Sequence, residues 1–231
     1  METDSFKKKW KHFSFFLFPC EKCFYICSME KVHDKIVKIA AELYRKFGIK
    51  SVTMDDVAHE CMISKKTLYK YVNDKIDLLT QAFKYEFGLQ RKKFSPLKNK
   101  ELNAIEEVLF IHKNLIDMLK THKPSLEYEM DKYYPIIQKE LVDKKSGYVY
   151  QMMLHNLKKG IEEGLYYDDI DIELIAKQRV VFQVQKVENA VVSYKEFLTP
   201  KAMKQMFKYH LRAICSPKGL KILNKKIEEL E

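Results

Sequence analysis

From Val32 onward the apolar residues fall into helical register. Ile36, Ile39, Ala40, Leu43 and Phe47 recur at i, i+3, i+4, i+7 and i+11, the spacing of one face of an amphipathic helix. Gly48 stands where a C-terminal cap is expected, so the pattern predicts a first helix over about Val32 to Phe47. Thr53 is an N-cap candidate, and Asp55 and Asp56 follow in the first turn, where carboxylates favour the positive helix end. Met54, Val57 and Ala58 supply the inward face of a short second helix ending near Glu60. "CMI" makes a turn, Ser64 caps a third helix, and Leu68 points inward from it. A fourth helix is expected from Lys75 to about Lys93, stopped by Ser95-Pro96. Apolar-periodic stretches then run over Leu102 to Lys120, Pro124 to Tyr133, Pro135 to Gly160, Ile172 to Val192, Pro200 to Ile214 and Gly219 to Leu230. No stretch alternates like a strand with a hairpin turn, so the fold class is all-α.

Two short helices joined by a turn of three or four residues form a helix-turn-helix. In that arrangement the second helix enters the major groove of DNA and its first residues meet base edges. "SKKTLYKYVNDK" carries polar groups where a core helix would carry leucines. Lys65 and Lys66 can reach base edges or phosphates. Thr67, Tyr69, Tyr71 and Lys75 can donate to phosphate oxygens, which set register without reading sequence. Taken alone, the same residues equally describe core tyrosines on a lysine-decorated surface helix. Their distance from "TMDDVAHE" favours the DNA-reading version.

"IKSVTMDDVAHECMISKKTLYKYVNDKIDLL" resembles the N-terminal DNA-binding domain of the TetR family of one-component bacterial repressors, over about Val32 to Phe83. The resemblance rests on the Gly after the first helix, Thr53, Asp56-Val57-Ala58, Ser64, Thr67-Leu68-Tyr69, Tyr71, Lys75 and Leu78-Leu79. It implies a three-helix DNA-binding head on a larger helical ligand-binding and dimerisation body. It also implies that Thr53 and Ser64 join Lys65, Lys66, Thr67, Tyr69, Tyr71 and Lys75 at the DNA, through phosphate contact and helix capping. The chain departs from the family pattern in three places. Met62 stands where the turn usually has Gly, which costs about 1 kcal/mol or less if left-handed geometry is kept. Lys66 stands where a small residue is common, and Val72 replaces a usual Phe.

Charge agrees with this layout. Residues 1–95 hold 19 basic and 12 acidic side chains and the remainder 23 and 20, so net +7 against +3 within a total of +10. A basic front joined to a nearly balanced rear suits a polyanion partner; lysine-rich composition alone would give the same total. The leader "METDSFKKKWKHFSFFLFPCEKCFYICS" differs from all that follows. Its apolar run is too short to span a bilayer, and Pro19-Cys20-Glu21 is a poor signal cleavage site. Cys20, Cys23 and Cys27 lack the second pair that structural zinc needs, so neither metal nor cofactor is expected. Met29 opens "MEKVHDKIVKIA", a natural polar entry to a helix. The organisation read from the sequence is therefore an irregular leader over 1–28, a head over 29–80 and a body over 81–231. Five cysteines without framework spacing suit a reducing cytoplasm.

In the body, Tyr128, Tyr133, Tyr134, Tyr150 and Met153 are the candidates for an effector pocket. Aromatic and methionine side chains make adaptable apolar cavities with polar handles, although each could equally fill a helical core. The resemblance implies a homodimer formed by two late helices, here Ile172 to Val192 and Pro200 to Ile214, with Val180, Val181, Val184, Val187 and Val191 as interface candidates. Each of these could also face its own core. There is no GxGxxG, P-loop, HExxH or GxSxG, and the seven histidines show no ligand spacing, so no enzyme is expected. The expectation is a cytoplasmic homodimer on an inverted-repeat DNA operator, a repressor relieved by an apolar or amphipathic small molecule, with no membrane partner. The rival is a helical protein-interaction module with a basic surface.

Overall fold

The structure is a computed structural model that describes residues 21–98, 101–120, 123–184, 191 and 193–228. Every regular element among them is helical, apart from isolated bridge residues, among them Tyr166 and Cys215 paired antiparallel. The order is α1 Glu21–Phe47, α2 Met54–Glu60, α3 Lys65–Leu68, α4 Lys75–Lys93, a 3-10 turn Ser95–Lys98, α5 Ala104–Lys120, α6 Pro124–Tyr133, α7 Pro135–Glu162, α8 Ile172–Val184, α9 Tyr194–Phe197, α10 Pro200–Ile214 and α11 Pro217–Glu228. No helix among the described residues is long and apolar enough to cross a membrane.

The helices α1 to α4 close around Ile36, Tyr44, Val57, Leu68, Leu78 and Leu79, all buried. α1 ends as its pattern requires: Gly48 takes φ +86 and its N–H returns to the Tyr44 carbonyl at 2.9 Å. A side chain there would be strained by the left-handed backbone and would meet Glu129 Oε1 at 2.8 Å. The helix begins earlier than Val32, at Glu21, so Cys23 and Cys27 lie on its first turns. Cys20 lies outside the described residues, as do the other residues of 1–20.

The head's apolar cluster does not stop at α4. Met130 of α6 and Ile137 of α7 are buried in it, with Leu126, Tyr134 and Leu141 packed alongside. These helices therefore belong to both the head and the body.

The body packs α5, α7, α8, α10 and α11 around Ile105, Met153, Leu157, Leu211 and Leu223. A buried polar network ties α5 to α7. Asn156 donates from Nδ2 to the Ala104 carbonyl and to Glu107 Oε2, both at 2.9 Å, and its Oδ1 accepts from the Tyr166 hydroxyl at 3.1 Å. Lys159 closes the network by pairing with Glu107. Each buried polar group of this network thus has a partner, the condition for carrying such groups in a core.

Candidate nucleic-acid interface and interhelical cavity

The second and third helices meet the requirements of a helix-turn-helix one hydrogen bond at a time. Thr53 caps α2: its Oγ1 accepts from the Asp56 N–H at 3.1 Å, while Asp56 Oδ2 accepts from the Thr53 N–H at 2.8 Å. This reciprocal capping box satisfies two otherwise orphaned donors. The hydrogen bond from the Thr53 N–H, with that from its hydroxyl, holds the Asp56 carboxyl below its usual range. At the other end of α2, the Met62 N–H returns to the His59 carbonyl at 2.9 Å and the Ile63 N–H to the Ala58 carbonyl at 3.0 Å. That is a Schellman cap, and it puts the next residue in left-handed backbone. Met62 occupies that position at φ +59 with its side chain in solvent. The turn thus takes the left-handed geometry that glycine eases and accepts the cost of a side chain there.

Ser64 caps α3, its Oγ accepting from the Thr67 N–H at 3.0 Å. The helix proper is a single turn, Lys65–Leu68, followed by tighter i→i−3 bonds from Lys70 to Thr67 and from Tyr71 to Leu68. It stops there because Asp74 is already capping α4, with Oδ1 on the Asp77 N–H at 2.7 Å. Leu68 is fully buried and pins the element to the head.

The polar residues expected at DNA differ in how free they are. Lys66 is exposed and forms no ion pair among the described residues. Tyr69 is exposed, whereas Tyr71 is half-buried against the head core. Lys65 is held by Asp55 of α2 at 2.8 Å, and that contact raises its pKa. Thr67 shares its hydroxyl with Ser64 at 2.8 Å. Lys75 is half-buried and donates from Nζ to the Val52 carbonyl at 2.6 Å. Burial lowers its pKa. Thr53, Ser64 and Lys75 are thus engaged in holding the head together, and Lys66 and Tyr69 project from it.

Between the head and the body lies a cavity of ≈ 600 Å³, within the range of about 300–1,000 Å³ usual for small-molecule sites. Its walls come from α1, α4, α5, α6, α7, α8, α9 and α10, and are mostly apolar. Met153, one of the five pocket candidates, lines it. The other four do not. Tyr128 and Tyr133 lie on the outer side of α6, exposed, with the Lys132 ammonium over both rings. Tyr134 packs on the head cluster, and Tyr150 packs against the body core. α6 presents Leu126, Glu127 and Met130 to the cavity instead, which leaves its tyrosines outward. The polar groups that sequence reading missed are His112 and Arg179. Arg179 is 9% exposed, and its Nε and His112 Nε2 are buried without hydrogen-bond partners.

The interface candidates also separate. Val181 is exposed on α8 with Leu174 and Phe182, and Val191 is exposed beyond it. Val180 is half-buried against the body core. Val184 is 5% exposed and lines the cavity, so its own subunit already covers it. Val187 lies outside the described residues.

Comparison with known proteins agrees with the geometry of the head. Residues 36–82 match the family described as bacterial regulatory proteins, tetR family. A relative in Bacillus subtilis (strain 168), an uncharacterized HTH-type transcriptional regulator named YerO, is 27% identical over 118 residues. That match takes in 46% of this chain and 41% of YerO, so it spans under half of either protein. Among solved structures, a TetR-family transcriptional regulator from Cytophaga hutchinsonii superposes with a TM-score of 0.63 at 15% identity, over 81% of this chain and 96% of that one. One from Chloroflexus aurantiacus gives 0.61 at 14%, over 82% and 98%. These two likenesses establish the fold, a helix-turn-helix head on a helical body. The head, over residues 36–82, is thus similar to the DNA-binding domain of tetR-family regulators, and the chain as a whole shares the fold of these two solved regulators.

Proposed function

We propose that the protein is a sequence-specific DNA-binding repressor that acts in the cytoplasm as a homodimer on an inverted-repeat operator and is released by a small molecule. The observation that carries this reading is the capped α2–turn–α3 unit, with Lys66 and Tyr69 projecting from it and Lys65 and Thr67 on its first turn. Such a helix placed in the major groove reads bases with its first residues and touches phosphates with the rest.

Release by a ligand is supported by the cavity's position. α4 follows directly from the helix-turn-helix, and its residues from Ala82 to Lys93 form much of one wall. A ligand that fits the cavity best in a spread arrangement of α4 would disfavour the arrangement that fits DNA, and the coupling works equally in both directions. Dimerisation is supported by Leu174, Val181 and Phe182 exposed on α8 and Tyr209 exposed on α10. Exposed apolar side chains at positions 174, 181 and 182, which fall on one face of a helix, favour a protein partner, and two-fold symmetry would impose a palindromic operator.

Selection from a random duplex library tests the reading. An inverted repeat of two half-sites about one helical turn apart or somewhat more is expected. A single unrepeated half-site would remove the dimeric arrangement.

A further inference from the structure

The cavity wall contains a charge that no carboxylate among the described residues compensates. Arg179 of α8 is 9% exposed, its Nε has no hydrogen-bond partner, and no carboxylate among the described residues pairs with it. The buried carboxylate of Glu107 is taken by Lys159 and Asn156. Two imidazoles feel the guanidinium, His112 of α5 and His210 of α10. His112 stacks on Phe207 with ring centroids 4.1 Å apart, and its Nε2 is buried without a partner in the same cavity. A buried cation with an unpartnered N–H is costly unless something supplies an acceptor and a negative charge.

The remaining lining indicates what shape the missing partner has. Phe87, Leu115, Met118, Leu141, Met152 and Met206 give an apolar wall along α4, α5, α7 and α10. Toward the outside the basic groups continue, with Arg45, Arg91 and Lys145 against the carboxylates of Glu86 and Glu127. Cations therefore outnumber anions around the cavity. One guanidinium in an apolar wall balances one negative charge, and its planar fork matches a carboxylate through two parallel hydrogen bonds. A phosphate dianion would bring a second charge that the buried end of the cavity does not answer.

We propose that the effector is an amphipathic organic acid, a single carboxylate on an apolar body, with the carboxylate held by Arg179 and the body lying along α4, α5 and α7. This deepens the ligand-release reading and rests on it, but its test involves no DNA, so the two can fail separately.

The test is calorimetric titration of the full chain with decanoate, decan-1-ol and decyl phosphate. The same ligands are then titrated into Arg179→Met and Arg179→Lys. Decanoate is expected to bind about tenfold or more tighter than the alcohol, a difference the charge-assisted pair can supply. Arg179→Met should bring the acid down to the level of the alcohol and leave alcohol binding intact. That variant should also melt no lower than the native chain, because it replaces an uncompensated buried charge by an apolar side chain of similar length. Arg179→Lys keeps the charge without the fork and should retain part of the preference. Equal binding of acid and alcohol, tighter binding of decyl phosphate, persistence of the preference in Arg179→Met, or no binding of any of the three would overturn the assignment.

Discussion

The carboxylate of Glu129 accepts the backbone N–H of Ile49 at 2.8 Å, and the same oxygen, Oε2, accepts the N–H of Lys50 at 2.9 Å. Glu129 lies on α6, whose next residue, Met130, is buried in the head and lines the cavity. Ile49 and Lys50 begin the turn that leads into α2. One helix thus touches the cavity on one side and grips the entry to the DNA-reading unit on the other. Glu129→Ala should lower stability by about 1–2 kcal/mol, the usual loss when hydrogen bonds to a charged acceptor are removed at a half-open position. Urea unfolding checks this. An unchanged midpoint would mean that water replaces the carboxylate at no cost.

The Asp55–Lys65 pair, at 2.8 Å and exposed, holds a lysine that could otherwise meet DNA. Asp55→Ala should free Lys65, remove a negative charge from the DNA-facing surface and tighten binding to every duplex. Lys66→Ala should weaken binding and reduce the slope of log K against log salt by about 1, the value for one lost phosphate contact. If the slope is unchanged while discrimination between operator and random duplex falls, Lys66 reads a base instead.

Met62 sits at φ +59 with its side chain in solvent. Met62→Gly relieves the left-handed strain and loses almost no packing, although it adds some chain entropy to the unfolded state. The expected gain is about 0.5–1 kcal/mol, read as a higher urea midpoint. Met62→Val should move the midpoint the other way, since a β-branched side chain tolerates this backbone least.

Two half-buried imidazoles set a pH dependence of stability. Burial, helped by the Arg179 charge, lowers the pKa of His210 to about 3. Burial is also the main cause of the lowered pKa of His112. In the unfolded chain a histidine titrates near 6.5. As pH falls through that value the unfolded state takes up protons that the folded state refuses, so stability is complete above it and is lost progressively toward the folded pKa values. The urea midpoint should therefore fall between pH 7.5 and pH 5.5, and the fall should be smaller in His210→Gln. An identical fall in the variant would place the dependence on other groups.

Much of this fold is legible in the sequence, for physical reasons that differ by element. The spacing of Ile36, Ala40 and Leu43, the caps at Thr53 and Ser64 and the glycine after Phe47 are local signals, and the helices they mark stand where expected except that α1 begins earlier, at Glu21. α4 at Lys75–Lys93, α6 at Pro124–Tyr133 and α10 at Pro200–Ile214 agree in both bounds, because Pro or an acidic cap fixes their starts. The single-turn α9 at Tyr194–Phe197 is too short to show a period. The cavity was harder to read. Arg179 lies in a segment whose valines suggest an interface, and only the packing of α8 turns it inward. Tyr128 and Tyr133 have the composition of pocket residues but face away from the cavity. Which side of a body helix faces a cavity is set by its neighbours, and a single sequence does not contain that information.

The most direct measurement is fluorescence anisotropy of the protein titrated against labelled duplex from upstream of its own gene, with random duplex as competitor, at several salt concentrations. Tight binding that survives the competitor and weakens steeply with salt is the predicted result. No binding even at low salt would contradict a DNA-reading head and favour a helical module that binds another protein.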